Sequence, residues 1–162
     1  VRAVSKIYRD QPYEFTLDHT TFRLAYTPAE SDSDMFGGNS NWRGPVWMPL
    51  NYLMVETLQR FYHYFGDDFT VEYPIGSGKQ ITLNDVASEL MNRLIRVFTL
   101  DVNGKRATFG QHPKYQDAYF RDYVLFYEYF DGDNGRGVGA SHQTGWTGLV
   151  AELIDRKYGS WK

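Results

Sequence analysis

The 162 residues contain no cysteine, which excludes disulfides and thiolate metal sites. Basic residues form no block and the net charge is −3, so the electrostatic footprint of a nucleic-acid binder is missing. No apolar run approaches the roughly 20 residues that span a bilayer. No internal repeat or low-complexity tract occurs. No targeting segment is recognisable, and a cytoplasmic location is the expectation. The chain opens on Val1 instead of an initiator Met, and a piece of something longer is expected.

What is present is a folding composition: 42% hydrophobic and 17% aromatic residues, enough for one domain with a core. Thirteen of the aromatics are Tyr. A tyrosine buries a ring and keeps a hydroxyl available, which favours a polar organic ligand over a lipid.

Read in order, Val4, Ile7 and Tyr8 suggest the tail of a helix stopped by Pro12. Tyr13, Phe15 and Leu17, then Phe22, Leu24 and Tyr26, alternate with polar residues around Asp18-His19-Thr20, which reads as a β-hairpin. Leu50, Leu53, Met54, Leu58, Phe61 and Phe65 form the apolar stripe of a helix that ends near Gly66. Two extended pieces flank Gly76-Ser77-Gly78. Thr82, with Asp85 three residues on, caps a helix whose stripe is Leu83, Val86, Ala87, Leu90, Leu94, Val97 and Phe98. Asn103-Gly104 is a turn, and Thr108 to Gln116 is loop. Asp117 to Phe130 reads as helical at first, though its aromatic second half does not separate helix from strand. Asp131 to Gly139 is a glycine loop. Thr144 caps a last helix with Trp146, Leu149, Val150, Leu153 and Ile154 inward, and Gly159 lies just past its end. The fold class is mainly α with two small β-hairpin insertions, in one domain over residues 1–162.

Three features carry chemistry. Phe36-Gly37-Gly38-Asn39-Ser40-Asn41-Trp42-Arg43-Gly44-Pro45-Val46-Trp47 combines flexible glycines with Trp42, Trp47, Arg43 and Asn41, and Pro45 suits a first helical turn. Flat rings for C–H stacking, a forked cation and an amide suit a sugar. The alternative is a helix start with both Trp as core anchors. Glu128 sits in Phe126-Tyr127-Glu128-Tyr129-Phe130, where partial desolvation of a carboxylate suits proton transfer. The alternative is a glutamate on the polar side of a helix. Gly139-Ala140-Ser141-His142-Gln143-Thr144-Gly145-Trp146 mirrors the first loop, and the two together could line one pocket with His142, Gln143 and Trp146. Capping and packing would explain the same residues.

Other matches fail on a missing residue. Gly76 to Lys79 lacks the spacing of a phosphate loop. Asp131-Gly132-Asp133-Asn134-Gly135 starts like a calcium loop, but Gly135 and His142 stand where ligands are needed. Ser141-His142 is no nucleophile elbow. The four His are scattered singly. No metal and no cofactor is expected.

The segment Phe36 to Trp47, the Glu128-Tyr129-Phe130 run, Asn134-Gly135-Arg136-Gly137 and Gly139 to Thr147 together resemble glycoside hydrolase family 63. That family includes processing α-glucosidases and mannosylglycerate hydrolases. The resemblance implies a partial (α/α)6 barrel, an α/α toroid, of which this chain is a C-terminal part of the catalytic domain. It also implies an inverting α-glycosidase acting on a saccharide, with Glu128 as general base and Trp42, Arg43 and Trp146 at the sugar subsite. The family's general acid is an Asp upstream of this stretch. Nothing singles out Asp32, Asp34, Asp122, Asp131 or Asp133 as that acid. Half a toroid would leave apolar faces for self-association or for the missing N-terminal part of the barrel. A non-catalytic carbohydrate-binding module and a structural or assembly domain are the competing readings.

Overall fold

The computed structural model describes residues 6–26, 28–29 and 44–159. Asn41, Trp42 and Arg43 lie outside the described residues, as do Asp32 and Asp34. The described chain is mainly helical, with small antiparallel hairpins.

A single turn, α1 (Ile7–Asp10), precedes Pro12. Strands β1 (Tyr13–Leu17) and β2 (Thr20–Leu24) pair antiparallel, with Tyr13 opposite Leu24, Phe15 opposite Phe22 and Leu17 opposite Thr20. The two linking residues, Asp18 and His19, have φ of 47° and 65°. Positive φ at both positions matches the right-handed twist of the strands, and Asp and His tolerate it better than most side chains. The expected hairpin is therefore present. Its apolar face, Tyr13, Phe15, Leu17 and Phe22, is exposed.

Helix α2 (Met48–Phe65) ends where the sequence reading placed it, at Gly66 with φ 72°. Its buried face is not the expected one. Leu50, Leu53, Met54, Phe61 and Phe65 are all exposed, Leu53 at 58%. Met48 and Val55 are buried instead, with Tyr52 and Leu58 packed beside them. The helix is apolar on two sides, and the shape of its neighbours selects which side meets the core. Pro45 does not open the helix, because Pro49 takes that place. Arg156 seals the buried side. It is ion-paired to Glu56 and, at 2.8 Å, to Glu152, and it donates to the Tyr52 hydroxyl at 2.6 Å.

A second hairpin, β3 (Thr70–Glu72) with β4 (Gln80–Thr82), leads into α3 (Leu83–Arg96). The capping box is as read. Thr82 Oγ1 accepts from the Asp85 N–H at 3.2 Å, and Asp85 accepts from the Thr82 N–H at 3.3 Å. Leu83, Val86, Ala87, Met91, Leu94 and Ile95 are its buried face. The Asp101 carboxylate accepts from the N–H groups of Asn103 and Lys105, each at 2.8 Å, and these bonds hold it below the usual carboxylate range. The loop expected over residues 108–116 contains two short 3-10 turns, Ala107–Phe109 and Pro113–Gln116.

The helix expected from Asp117 does not form. Asp117 Oδ1 accepts from the Tyr119 N–H at 2.7 Å, a local turn that competes with helix. The dense Tyr, Val and Phe beyond it favour extended backbone. The chain runs extended into β5 (Tyr129–Phe130), which pairs with β6 (Gly137–Val138) in a third, unanticipated hairpin. The last expected helix is two pieces, α4 (Thr144–Thr147) and α5 (Leu149–Tyr158). Gln143, not Thr144, occupies the N-cap position, and Ile154 is exposed.

The core joins Met48 and Val55 of α2, the buried face of α3 with Val97 and Phe98, Phe130 of β5, and Val150 and Leu153 of α5. A smaller cluster holds Trp47, Tyr129 and Val138, with Ala29 and Trp146 against it. Among the described residues, no helix is long and apolar enough to cross a membrane.

These two kinds of leucine predict opposite outcomes. Leu153→Ala, at a fully buried position, should lower unfolding free energy by about 2–5 kcal/mol. Leu53→Ala should change it by less than about 0.5 kcal/mol. Urea titration of both variants checks this, and equal losses would contradict the observed orientation of α2.

Candidate active site

The site grows from one extended segment, residues 126–130, held on both sides. Along one edge, Val46 and Phe130 exchange backbone hydrogen bonds of 2.8 and 2.9 Å. Along the other, the Glu128 N–H donates to the Ala140 carbonyl and the Gln143 N–H donates to the Phe126 carbonyl, both at 2.8 Å. The two loops that mirror each other in sequence thus meet the same segment from opposite sides. Thr147 Oγ1 ties α4 to it as well, donating to the Tyr127 carbonyl.

This arrangement gathers the aromatic rings. Trp47 stacks on Tyr129 with centroids 4.6 Å apart, and Trp146 meets Trp47 edge-on at 6.4 Å. Trp47 is only 2% exposed. It lies under the site as a packing residue and offers no open face for stacking. Trp146 is half-buried. Tyr129 is a third ring of the cluster that the sequence motifs do not single out, and Trp47 is the ring that joins it to Trp146. The alternation of Tyr129 with Tyr127 about Glu128 was the signal.

Glu128 is half-buried at a bend just before β5, not on the polar side of a helix. Its carboxylate lies against Gly139 and Ala140, and accepts weakly from the Ala140 N–H at 3.4 Å. Gly139 has φ +74°, and a Cβ there would come within 2.7 Å of Glu128 Oε2. The glycine allows the carboxylate its place. His142 and Gln143 are exposed beside this carboxylate's loop. Ser141 Oγ lies 2.8 Å from His142 Nδ1, a pair in which either group donates.

The other aspartates have structural partners. Asp131 is buried, and accepts from the Asp133 N–H at 2.8 Å and from Asn134 Nδ2 at 3.1 Å. Asp133 accepts from the Tyr26 hydroxyl at 2.7 Å and pairs with Arg9 at 2.8 Å and Lys6 at 3.1 Å. The Tyr26 bond, with the two cations beside it, holds the Asp133 carboxyl below its ordinary range. Asp122 pairs with Arg106 and Arg121. The run that begins like a calcium loop is therefore engaged by protein donors, and no group of three metal-ligating side chains occurs among the described residues.

Residues 7–147 match the family described as mannosylglycerate hydrolase MGH1-like glycoside hydrolase domain. The chain is 55% identical over 95% of its length to an uncharacterized protein of Saccharomyces cerevisiae, of which it covers 14%. It is 29% identical over 76% of its length to mannosyl-oligosaccharide glucosidase of the same yeast, covering 12% of that protein. It is 26% identical over 72% of its length to alpha-glucosidase 2 of Arabidopsis thaliana, covering 11%. The chain thus spans a small fraction of the length of these relatives. No solved structure matches it significantly.

Gly139→Ala should destabilise the fold by about 1–3 kcal/mol, since it needs positive φ and meets Glu128 and Tyr129. An unchanged melting midpoint would contradict the contact. The Asp133 hub predicts a pH effect. A carboxyl held low when folded contributes stability that is complete above its unfolded pKa, near 3.9, and is lost as pH falls below it. Asp133→Asn should remove about 1 kcal/mol at neutral pH and flatten the acid limb. Amide exchange of residues 13–24 at pH 3 to 7 reads it, and identical limbs in both proteins would refute the tie.

Proposed function

The chain belongs to the glycoside hydrolases with a mannosylglycerate hydrolase MGH1-like domain, and on that premise we propose that it supplies the general base and part of the sugar subsite of an inverting α-glycosidase. Glu128 is the base. It takes a proton from the water that attacks the anomeric carbon, while an acid protonates the departing oxygen. Inversion needs the two carboxyl groups about 6.5–9.5 Å apart, with room between them for that water. Asp122, Asp131 and Asp133 are held by other side chains or by their own turn. The resemblance to family 63 puts the acid on an Asp upstream of these residues, and on this reading the 162-residue chain alone is inactive.

The observation that carries this reading is the placement of Glu128. It is half-buried on a segment whose two edges are paired to the two sequence motifs of the site. The substrate is an α-linked glucoside or a related α-linked sugar, in line with the glucosidases among the relatives. Trp42, Arg43 and Asn41 contact it from one loop, and His142, Gln143 and Trp146 from the other. A purely binding module is favoured less, because a stacking platform needs an open ring and Trp47 is buried. The exposed stripe of α2 and the apolar face of the first hairpin are the surfaces that the rest of an (α/α)6 barrel covers.

Glu128→Gln in the intact protein should lower kcat by about 10²–10⁴-fold and leave saccharide affinity nearly unchanged. Following the released anomer by NMR in the parent enzyme tests inversion. Undiminished turnover in the variant would remove Glu128 from the reaction, and release of the retained anomer would remove the base mechanism.

A further inference from the structure

A concavity lies beyond the C-terminal end of α3, between the segment 96–111 and the tip of the third hairpin, with a volume of about 820 Å³. That is within the range of small-molecule sites. Its wall carries four cations, Arg96, Lys105, Arg106 and Arg136, against one carboxylate, Asp101. The whole chain has a net charge of −3, so this concentration of positive charge runs against the balance of the molecule.

These cations are not spent on local ion pairs. Among the described residues, Arg96, Lys105 and Arg136 lie within ion-pair distance of no carboxylate. Asp101 directs its carboxylate to the backbone N–H groups of Asn103 and Lys105. Arg106 donates to the Phe98 carbonyl at 2.6 Å and reaches Asp122 at 3.5 Å, while its buried Nε has no hydrogen-bond partner. The Arg136 stem has a cradle of its own. A Cβ on Gly110 would come within 2.7 Å of Arg136 Cγ and Cδ, and Gly110 has φ +54°. The hairpin tip is fitted against the segment after α3, because a Cβ on Gly135 would meet Ala107 at 3.2 Å.

We propose that this cleft binds the phosphate monoester of a sugar, at a site separate from the carboxylate chemistry of Glu128. Guanidinium forks match phosphate oxygens in pairs. Two unpaired guanidinium groups and an ammonium offset a dianion, whereas a single carboxylate would leave cations uncompensated. The Thr99 and Gln111 side chains in the same wall are the partners for sugar hydroxyls. The proposal rests on the cleft itself and stands apart from the assignment of Glu128.

Calorimetric titration of the intact protein with glucose 6-phosphate, inorganic phosphate and glucose tests it. The expected result is saturable binding of glucose 6-phosphate and none of glucose. Arg96→Gln and Arg136→Gln should each weaken that binding about tenfold or more. Arg96 is exposed at the end of its helix, so its variant keeps the test independent of folding, and an unchanged melting midpoint verifies this. No saturable binding up to about 10 mM, or both variants binding as the parent does, would overturn the proposal. Inorganic phosphate binding as tightly as glucose 6-phosphate would overturn its sugar half.

Discussion

The two backbone hydrogen bonds between Val46 and Phe130 join the start of α2 to the strand that directly follows Glu128. Their register decides the rest of the site. Trp47 and Tyr129, each next to a paired residue, are brought to stacking distance. Phe130 turns into the helical core and meets Phe98 edge-on, with centroids 5.4 Å apart. The carboxylate, two residues earlier, is carried at the boundary between that core and the exposed loop at residues 139–145. Packing of α2, α3 and α5 and the position of a candidate catalytic group thus depend on the same few atoms.

The glycines after Glu128 serve this boundary in separate ways. A Cβ at Gly132 would come within 2.2 Å of the Gly44 carbonyl, and one at Gly137 within 2.1 Å of the Tyr127 ring. Gly139 makes room for Glu128 itself. What looks in sequence like a flexible run is a set of close approaches, each with a different neighbour. Asp131 and Asp133 complete the rigidity, one bonding within the turn and the other tying it to Lys6, Arg9 and Tyr26.

The described residues expose apolar surface, and the curated relatives are several times longer than this chain. Burial on one side of α2 leaves Leu50, Leu53, Met54, Phe61 and Phe65 outward, a run of apolar side chains that water does not favour. The first hairpin shows the same condition on one face. On the reading proposed above, both surfaces lie where a larger helical layer would continue.

Local chemistry was readable from the residues alone. The capping box at Thr82 and Asp85, the stop at Gly66, the first two hairpins and the separation of the loop motifs all follow from short-range rules of spacing and φ. The long, specific motifs also pointed to the family. Three features were not readable, because they depend on distant partners. Which side of α2 is buried was settled by α3 and α5. Whether residues 117–130 form helix or strand was settled by pairing with Val46 and with the loop at 140–143. Trp47 became a buried support because Tyr129 and Trp146 close over it. Sequence periodicity states which residues prefer to leave water, and only the tertiary contacts state which of them find room to do so.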